Sequence, residues 1–97
     1  MTTVESDDEA ESLALALVEN RLAACVQRVA IVSHYVWEGA ATKSDETLLL
    51  IKTRADRVAA VTEYVGEHHS YEVPEVIEIP ITSGLAGYFQ WVDEAVN

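Results

Sequence analysis

Few folds accommodate the stretch from Ala23 to Trp37, a long run of β-branched and aromatic residues with neither glycine nor proline. Its composition predicts a strand, with Val29, Ile31, Tyr35 and Trp37 on one face and Ala30, Val32, His34 and Val36 on the other. A turn from Glu38-Gly39 to Ser44 and a second strand from Glu46 to Thr53 complete a β-hairpin. Inside the second strand Leu48-Leu49-Leu50-Ile51 is unbroken, so Leu48 and Leu50 point one way while Leu49 and Ile51 point the other. Both faces of the sheet are therefore apolar. An antiparallel sheet covered on one face normally leaves the other polar, so a partner subunit is expected over the open face. Single exposed leucines are common on surfaces, but Tyr35 and Trp37 on the same hairpin favour assembly.

The elements around the hairpin complete one domain over residues 1–97, a length well below the ~250 residues at which chains split. Ser6-Asp7-Asp8-Glu9 reads as a capping box whose acids suit the positive end of a helix. Ala10, Leu13, Ala14, Leu17 and Val18 then carry a helix from about Asp7 to Asn20. Asp56 is placed to cap a second helix, with Val58, Val61 and Val65 on one side, fraying near Gly66 to His69. Glu75 to Ile81 predicts a further strand, and Ser83-Gly84 introduces a last helix striped by Leu85, Tyr88, Phe89, Val92 and Val96. With a short strand at Met1 to Val4, the order is βαββαβ plus a C-terminal helix, an α+β sandwich of ferredoxin-like type.

Composition removes several classes of function. Lys and Arg number 6 against 17 Asp and Glu, a net charge of −11, and nucleic acid and anionic membranes both require a cationic face. Neither is expected as a partner, whereas cations are compatible with this balance. The single Cys25 forbids an internal disulfide and a thiolate zinc cluster. It sits among Ala23, Ala24 and Val26 and reads as a small core residue. No stretch reaches the ~18 apolar residues of a membrane span, and MTTVESDDE lacks the basic-then-apolar order of a secretory signal. A cytoplasmic location is the expectation. There is no nucleophile elbow, phosphate-cradling glycine loop or helical His-Glu-x-x-His, so no enzymatic activity is expected.

Five ordered motifs carry a family likeness: Leu22-Ala23-Ala24-Cys25-Val26, Tyr35-Val36-Trp37-Glu38-Gly39, Ile51-Lys52-Thr53, His68-His69-Ser70-Tyr71-Glu72-Val73-Pro74-Glu75 and Tyr88-Phe89-Gln90-Trp91. Together they resemble the CutA divalent-cation tolerance family from about residue 6 to residue 95. The resemblance implies a ferredoxin-like protomer in a homotrimer with inter-subunit strand pairing, and a link to tolerance of copper and other divalent ions. It also implies a trimer similar in architecture to the PII nitrogen-regulatory sensors. Two departures stand out. The family usually carries a full apolar first strand, often with a cysteine near its end implicated in metal binding, whereas the sequence here starts at about that place, with Thr2 or Thr3 where the cysteine would lie. The family's usual His-Pro-Tyr reads His69-Ser70-Tyr71 here. Serine frees a backbone that proline would fix.

By this resemblance His68 and His69 correspond to the family's histidine pair, and imidazole is the usual nitrogen ligand of copper and zinc. Adjacent helical residues point about 100° apart, so a site needs loop geometry at the helix end or donors from a second subunit. Glu75 is the nearest motif carboxylate to complete it, with Cu(II) or another divalent cation as the ion. The alternative makes His68 a helix C-terminal cap and His69 a packing residue. His34 reads as a satisfied interface or core residue. Lys52, the only cation on its strand, either meets an anion in an inter-subunit cleft walled by Trp37 and Tyr71 or lets its amine reach water. Trp91 reads as an interface anchor. Metal binding by a trimer leads, ahead of a PII-like small-molecule sensor or adaptor acting through inter-subunit clefts, and of a scaffold that binds nothing.

Overall fold

The computed structural model describes residues 1–97. It contains strand β1 (Thr2–Val4), helix α1 (Asp7–Glu19), strands β2 (Cys25–Trp37) and β3 (Ala40–Lys52), a 3-10 turn at Ala55–Arg57, and helices α2 (Val58–His68) and α3 (Ala86–Ala95). Glu38 and Gly39 both take positive φ, 50° and 79°. That conformation makes a two-residue turn whose twist matches the strands it joins. β2 and β3 consequently pair along their whole length, from Trp37 opposite Ala40 to Cys25 opposite Lys52. The strand expected to begin at Glu46 thus begins at Ala40, because the turn needs only Glu38 and Gly39.

β1 lies antiparallel on the other edge of β3, giving the order β1-β3-β2. Directly opposed residues share a face, so Thr2, Val4, Thr47 and Leu49 point together and all are buried. Against them pack Ala10, Leu13 and Leu17 of α1 and Val61 and Val65 of α2. Ser6 Oγ accepts the Glu9 N–H at 3.1 Å and starts α1 where the sequence places its cap. At the far end Arg57 donates to Val96 O at 2.5 Å and Arg54 to Asp93 O at 3.4 Å, tying the end of α3 to the start of α2.

The opposite face carries Cys25, Gln27, Val29, Ile31, Tyr35 and Trp37, with Leu48, Leu50 and Lys52 across from them. No residue of this set is buried, and Trp37 is 62% exposed. The distal half of the hairpin also outruns β1 and the helices: β1 reaches only Thr47 to Leu49, and Val32 and Val36 on the helix side are 53% and 76% exposed. The molecule measures 45 × 25 × 21 Å with a radius of gyration of 14.2 Å, above the ~13 Å of a compact domain this long.

Three further expectations change. Glu75 to Ile81 forms a bridge at Val76 rather than a strand, because β1 ends beside it and leaves Ile79 and Ile81 61% exposed without ladder partners. Asp56 does not cap α2: its carboxylate binds Arg54 at 2.9 and 3.2 Å, and the helix is entered through the 3-10 turn. Cys25 is half-buried on the open face instead of in the core, where Ala23 takes that place. His34 is exposed.

Leu49 is 0% exposed at the centre of the helix-covered face. Leu49→Ala should lower stability by about 2–5 kcal/mol, read as a fall in the urea midpoint with the slope unchanged.

Candidate functional site

Two of the candidate residues, His68 and His69, lie where α2 ends, and Tyr71 follows them. His68 closes the helix, and His69 leaves it in extended conformation at φ −81°, ψ 142°. Adjacent residues thereby acquire different roles. The His68 Nδ1–H donates to Tyr64 O at 2.8 Å, and its ring stacks on Tyr64 at 4.0 Å. A carbonyl only accepts, so the proton is on Nδ1 and Nε2 keeps its lone pair. His68 is exposed, and that lone pair is free for a ligand.

His69 has no such freedom. Its side chain is 0% exposed. The Tyr71 backbone N–H donates to Nδ1 at 3.0 Å, so Nε2 carries the proton and donates it to Thr3 O at 2.7 Å. Both nitrogens are spent on holding the loop to β1. The Glu9 carboxylate lies 3.8 Å from Nδ1 and also accepts the Ser70 N–H at 3.1 Å and the Ser70 hydroxyl at 2.7 Å. His69, Ser70 and Glu9 therefore form a latch joining the α2 exit to α1 and β1. Ser70, the departure from the family's proline, supplies two of its hydrogen bonds.

Tyr71 extends the latch to the hairpin. Its hydroxyl donates to Glu46 Oε2 at 2.9 Å, and its ring lies 4.8 Å from that of His69. Burial, and secondly the hydrogen bond to Glu46, push the Tyr71 phenol well above its ordinary value. Glu75 lies near the Met1 amine, whose pKa burial lowers and Glu75 partly restores. No three His, Cys, Asp or Glu side chains converge to hold a metal within one chain. His68, His69 and Glu75 are thus not a common ligand set in the single chain, and a site using His68 needs donors from another.

The expected cleft residues are also dispersed. Trp37 and Lys52 stand at opposite ends of the hairpin, which at 3.3 Å per residue is about 40 Å. Tyr71 meets Glu46 midway between them. Lys52 Nζ donates to the neutral Gln27 Oε1 at 2.5 Å. Only different subunits can bring these three together. Thr2, near the place of the family's cysteine, is fully buried with its hydroxyl unpartnered, and offers no soft donor.

The latch residues missed by sequence reading are Glu9, Glu46 and the Thr3 carbonyl. Only Glu9 carried a local signal, as the last member of a capping box. Ser6 performs its half of that motif, but the Glu9 carboxylate turns away to Ser70.

The family model for the CutA1 divalent ion tolerance protein matches residues 1–95. The chain belongs to this family. It is 40% identical over 95 residues to the divalent-cation tolerance protein CutA of Archaeoglobus fulgidus, covering 98% of this chain and 93% of that one. It is 46% identical over 95 residues to a CutA homolog of Xenopus laevis, covering 97% of this chain and 63% of that one. Against the solved A. fulgidus structure the TM-score is 0.97, with 99% of this chain and 94% of that one covered at 40% identity. Against the Thermus thermophilus protein it is 0.93 at 41% identity, with 97% and 92% covered. The chain spans between about half and two thirds of the length of the frog, Arabidopsis and mouse CutA relatives. Compartment varies within the CutA1 family: the A. fulgidus protein is described as periplasmic and the Arabidopsis one as chloroplastic. No helix of the present chain is long and apolar enough to cross a membrane.

The raised phenol gives a pH prediction. Above about pH 10, where a free tyrosine ionises, the unfolded chain releases the Tyr71 proton while the folded chain retains it. Stability contributed by Tyr71 is therefore present below that pH and lost as pH rises past it. Tyr71→Phe should be less stable than wild type at neutral pH, and the gap should narrow in urea unfolding curves recorded at increasingly alkaline pH.

Proposed function

We propose that this chain serves divalent-cation tolerance by binding metal as a homotrimer, with Cu(II) as the leading ion, in the cytoplasm and without an enzymatic step. The observation that carries this reading is the free Nε2 of His68, exposed at the end of α2 with its other nitrogen already anchored. Neutral imidazole is a natural copper ligand, and its tautomer is set by the second hydrogen bond, as metal-binding histidines require. In this reading the missing donors come from neighbouring subunits, and the exposed apolar open face supports such an assembly. His69 acts as the positioning residue, holding the loop rather than the ion. The family name of the A. fulgidus and T. thermophilus relatives supports the cation connection.

An organic-anion sensor of PII-like logic is the second reading. It is favoured by Lys52, whose ammonium meets a neutral amide and no carboxylate in a chain of net charge −11.

Titration of the metal-stripped protein with Cu(II) at moderate salt, followed by native mass spectrometry, separates these readings. A trimer should take up a fixed integral number of ions per chain before surface adducts appear, and uptake should weaken in acid as histidine protonates. His68→Ala should lower affinity at least about tenfold, the scale of losing one strong donor. His69→Ala should preserve the stoichiometry while costing about 1–3 kcal/mol of stability, because Thr3 O and the Tyr71 N–H lose their partner. A smooth adduct series indifferent to His68→Ala would overturn metal binding. Stabilisation by an organic anion that disappears in Lys52→Met would favour the sensor.

A further inference from the structure

His68 takes its orientation from the residue one turn before it. Helical side chains lean back toward the N-terminus, so positions i and i+4 meet over the same turn. On α2 those positions hold Tyr64 and His68. Their rings lie 4.0 Å apart and only 17° from parallel, while the His68 Nδ1–H reaches the Tyr64 carbonyl at 2.8 Å. One residue therefore grips the imidazole twice, at its edge and across its face.

Each contact removes a different freedom. The carbonyl selects the nitrogen that carries the proton, but by itself it leaves the ring free to swing about the hydrogen bond. The stack removes that motion. An exposed imidazole with neither restraint would exchange among staggered rotamers and between its two tautomers. Tyr64 can serve as a fixed plate because it is itself anchored: it is half-buried and packs against the core cluster that contains Val61 and Val65. Rigidity thus passes from the core through Tyr64 to a side chain that stands exposed. The neighbouring His69 is held in the opposite tautomer by different partners, Thr3 O and the Tyr71 N–H.

We propose that Tyr64 is the positioning residue of the candidate metal site, its ring and carbonyl together presenting the His68 Nε2 lone pair to an incoming divalent cation. This rests on the reading of His68 as a metal donor. A cation received there lies in the last turn of α2, at the negative end of the helix dipole. The stack is made by the ring, so phenylalanine should serve as well as tyrosine. Leucine, apolar but without a flat face, should not. Because the carbonyl survives either substitution, the loss should fall short of the roughly 10–100-fold that follows deletion of an outer hydrogen-bond partner. Ordering one freed side chain on binding corresponds to about three- to tenfold in affinity.

Long-range proton–nitrogen correlation spectra of the histidine rings in the metal-free whole protein at neutral pH test this first. His68 should appear as a single Nδ1–H tautomer and His69 as a single Nε2–H tautomer. Tyr64→Leu should move His68 toward a mixture while His69 keeps its pattern, and Tyr64→Phe should leave both as in wild type. Titration with Cu(II) alone should then show Tyr64→Leu weaker by about three- to tenfold at unchanged stoichiometry, with wild-type affinity in Tyr64→Phe. A His68 ring averaged between tautomers in the wild type, or unchanged by Tyr64→Leu, would overturn the proposal. So would an equal shift of His69 in Tyr64→Leu, because the ring would then be supporting the fold at large. Failure of the wild type to take up discrete copper would instead remove the metal reading, and the metal-free spectra would still decide whether Tyr64 positions His68.

Discussion

The register between Cys25–Trp37 and Ala40–Lys52 is set at one turn, and the remaining architecture follows from it. Two consecutive residues of positive φ, Glu38 and Gly39, fix Trp37 opposite Ala40. A slip of one residue would reverse every side chain, exchanging Leu49 with Leu48 beneath the helices. In the observed register Leu49 meets α1 and α2, while Leu48, Leu50, Tyr35 and Trp37 are left on the uncovered side. The same register places Glu46 under the Tyr71 hydroxyl. One turn thus orders the core, the open apolar face and the anchor of the candidate loop.

The latch at the α2 exit translates that frame into chemistry. Two adjacent histidines, which a continued helix would splay, are divided by the end of the helix into an exposed donor and a buried strut. His69 reaches Thr3, and Ser70 reaches Glu9, so the loop is held by α1 and β1 rather than by its own turns. Tyr71 fastens it to the hairpin. His68 is thereby presented at a fixed point of the surface with one nitrogen free. In the metal-binding proposal histidine supplies one ligand per chain, and the acidic excess of the chain favours cations near it.

Local pattern made the hairpin, α1, α2 and α3 legible, because each buries one face at a recognisable period. It misjudged the turn, since Thr42, Lys43, Ser44 and Asp45 look like loop residues although they occupy a paired strand whose far half lies beyond the helices. The segment Glu75 to Ile81 has the alternation of a strand, but a ladder also needs a partner, and β1 provides one only as far as Met1 and Thr2. Cys25 looked like core because its neighbours in sequence are apolar, yet strand alternation turns it to the open face opposite Lys52. The latch was illegible for a different reason. His69 and Thr3, or Ser70 and Glu9, are separated by most of the chain, and no local spacing encodes their meeting. The family likeness located the histidines, whereas the division of labour between them required coordinates.

The central physical claim is that a sheet apolar on both faces leaves the single chain incomplete. Sedimentation equilibrium of the purified protein at moderate salt tests it most directly. The account predicts a particle three times the 10.7 kDa chain mass, persisting to low concentration and dispersed by Trp37→Glu or Tyr35→Glu. A stable 10.7 kDa monomer with a cooperative unfolding transition would contradict it.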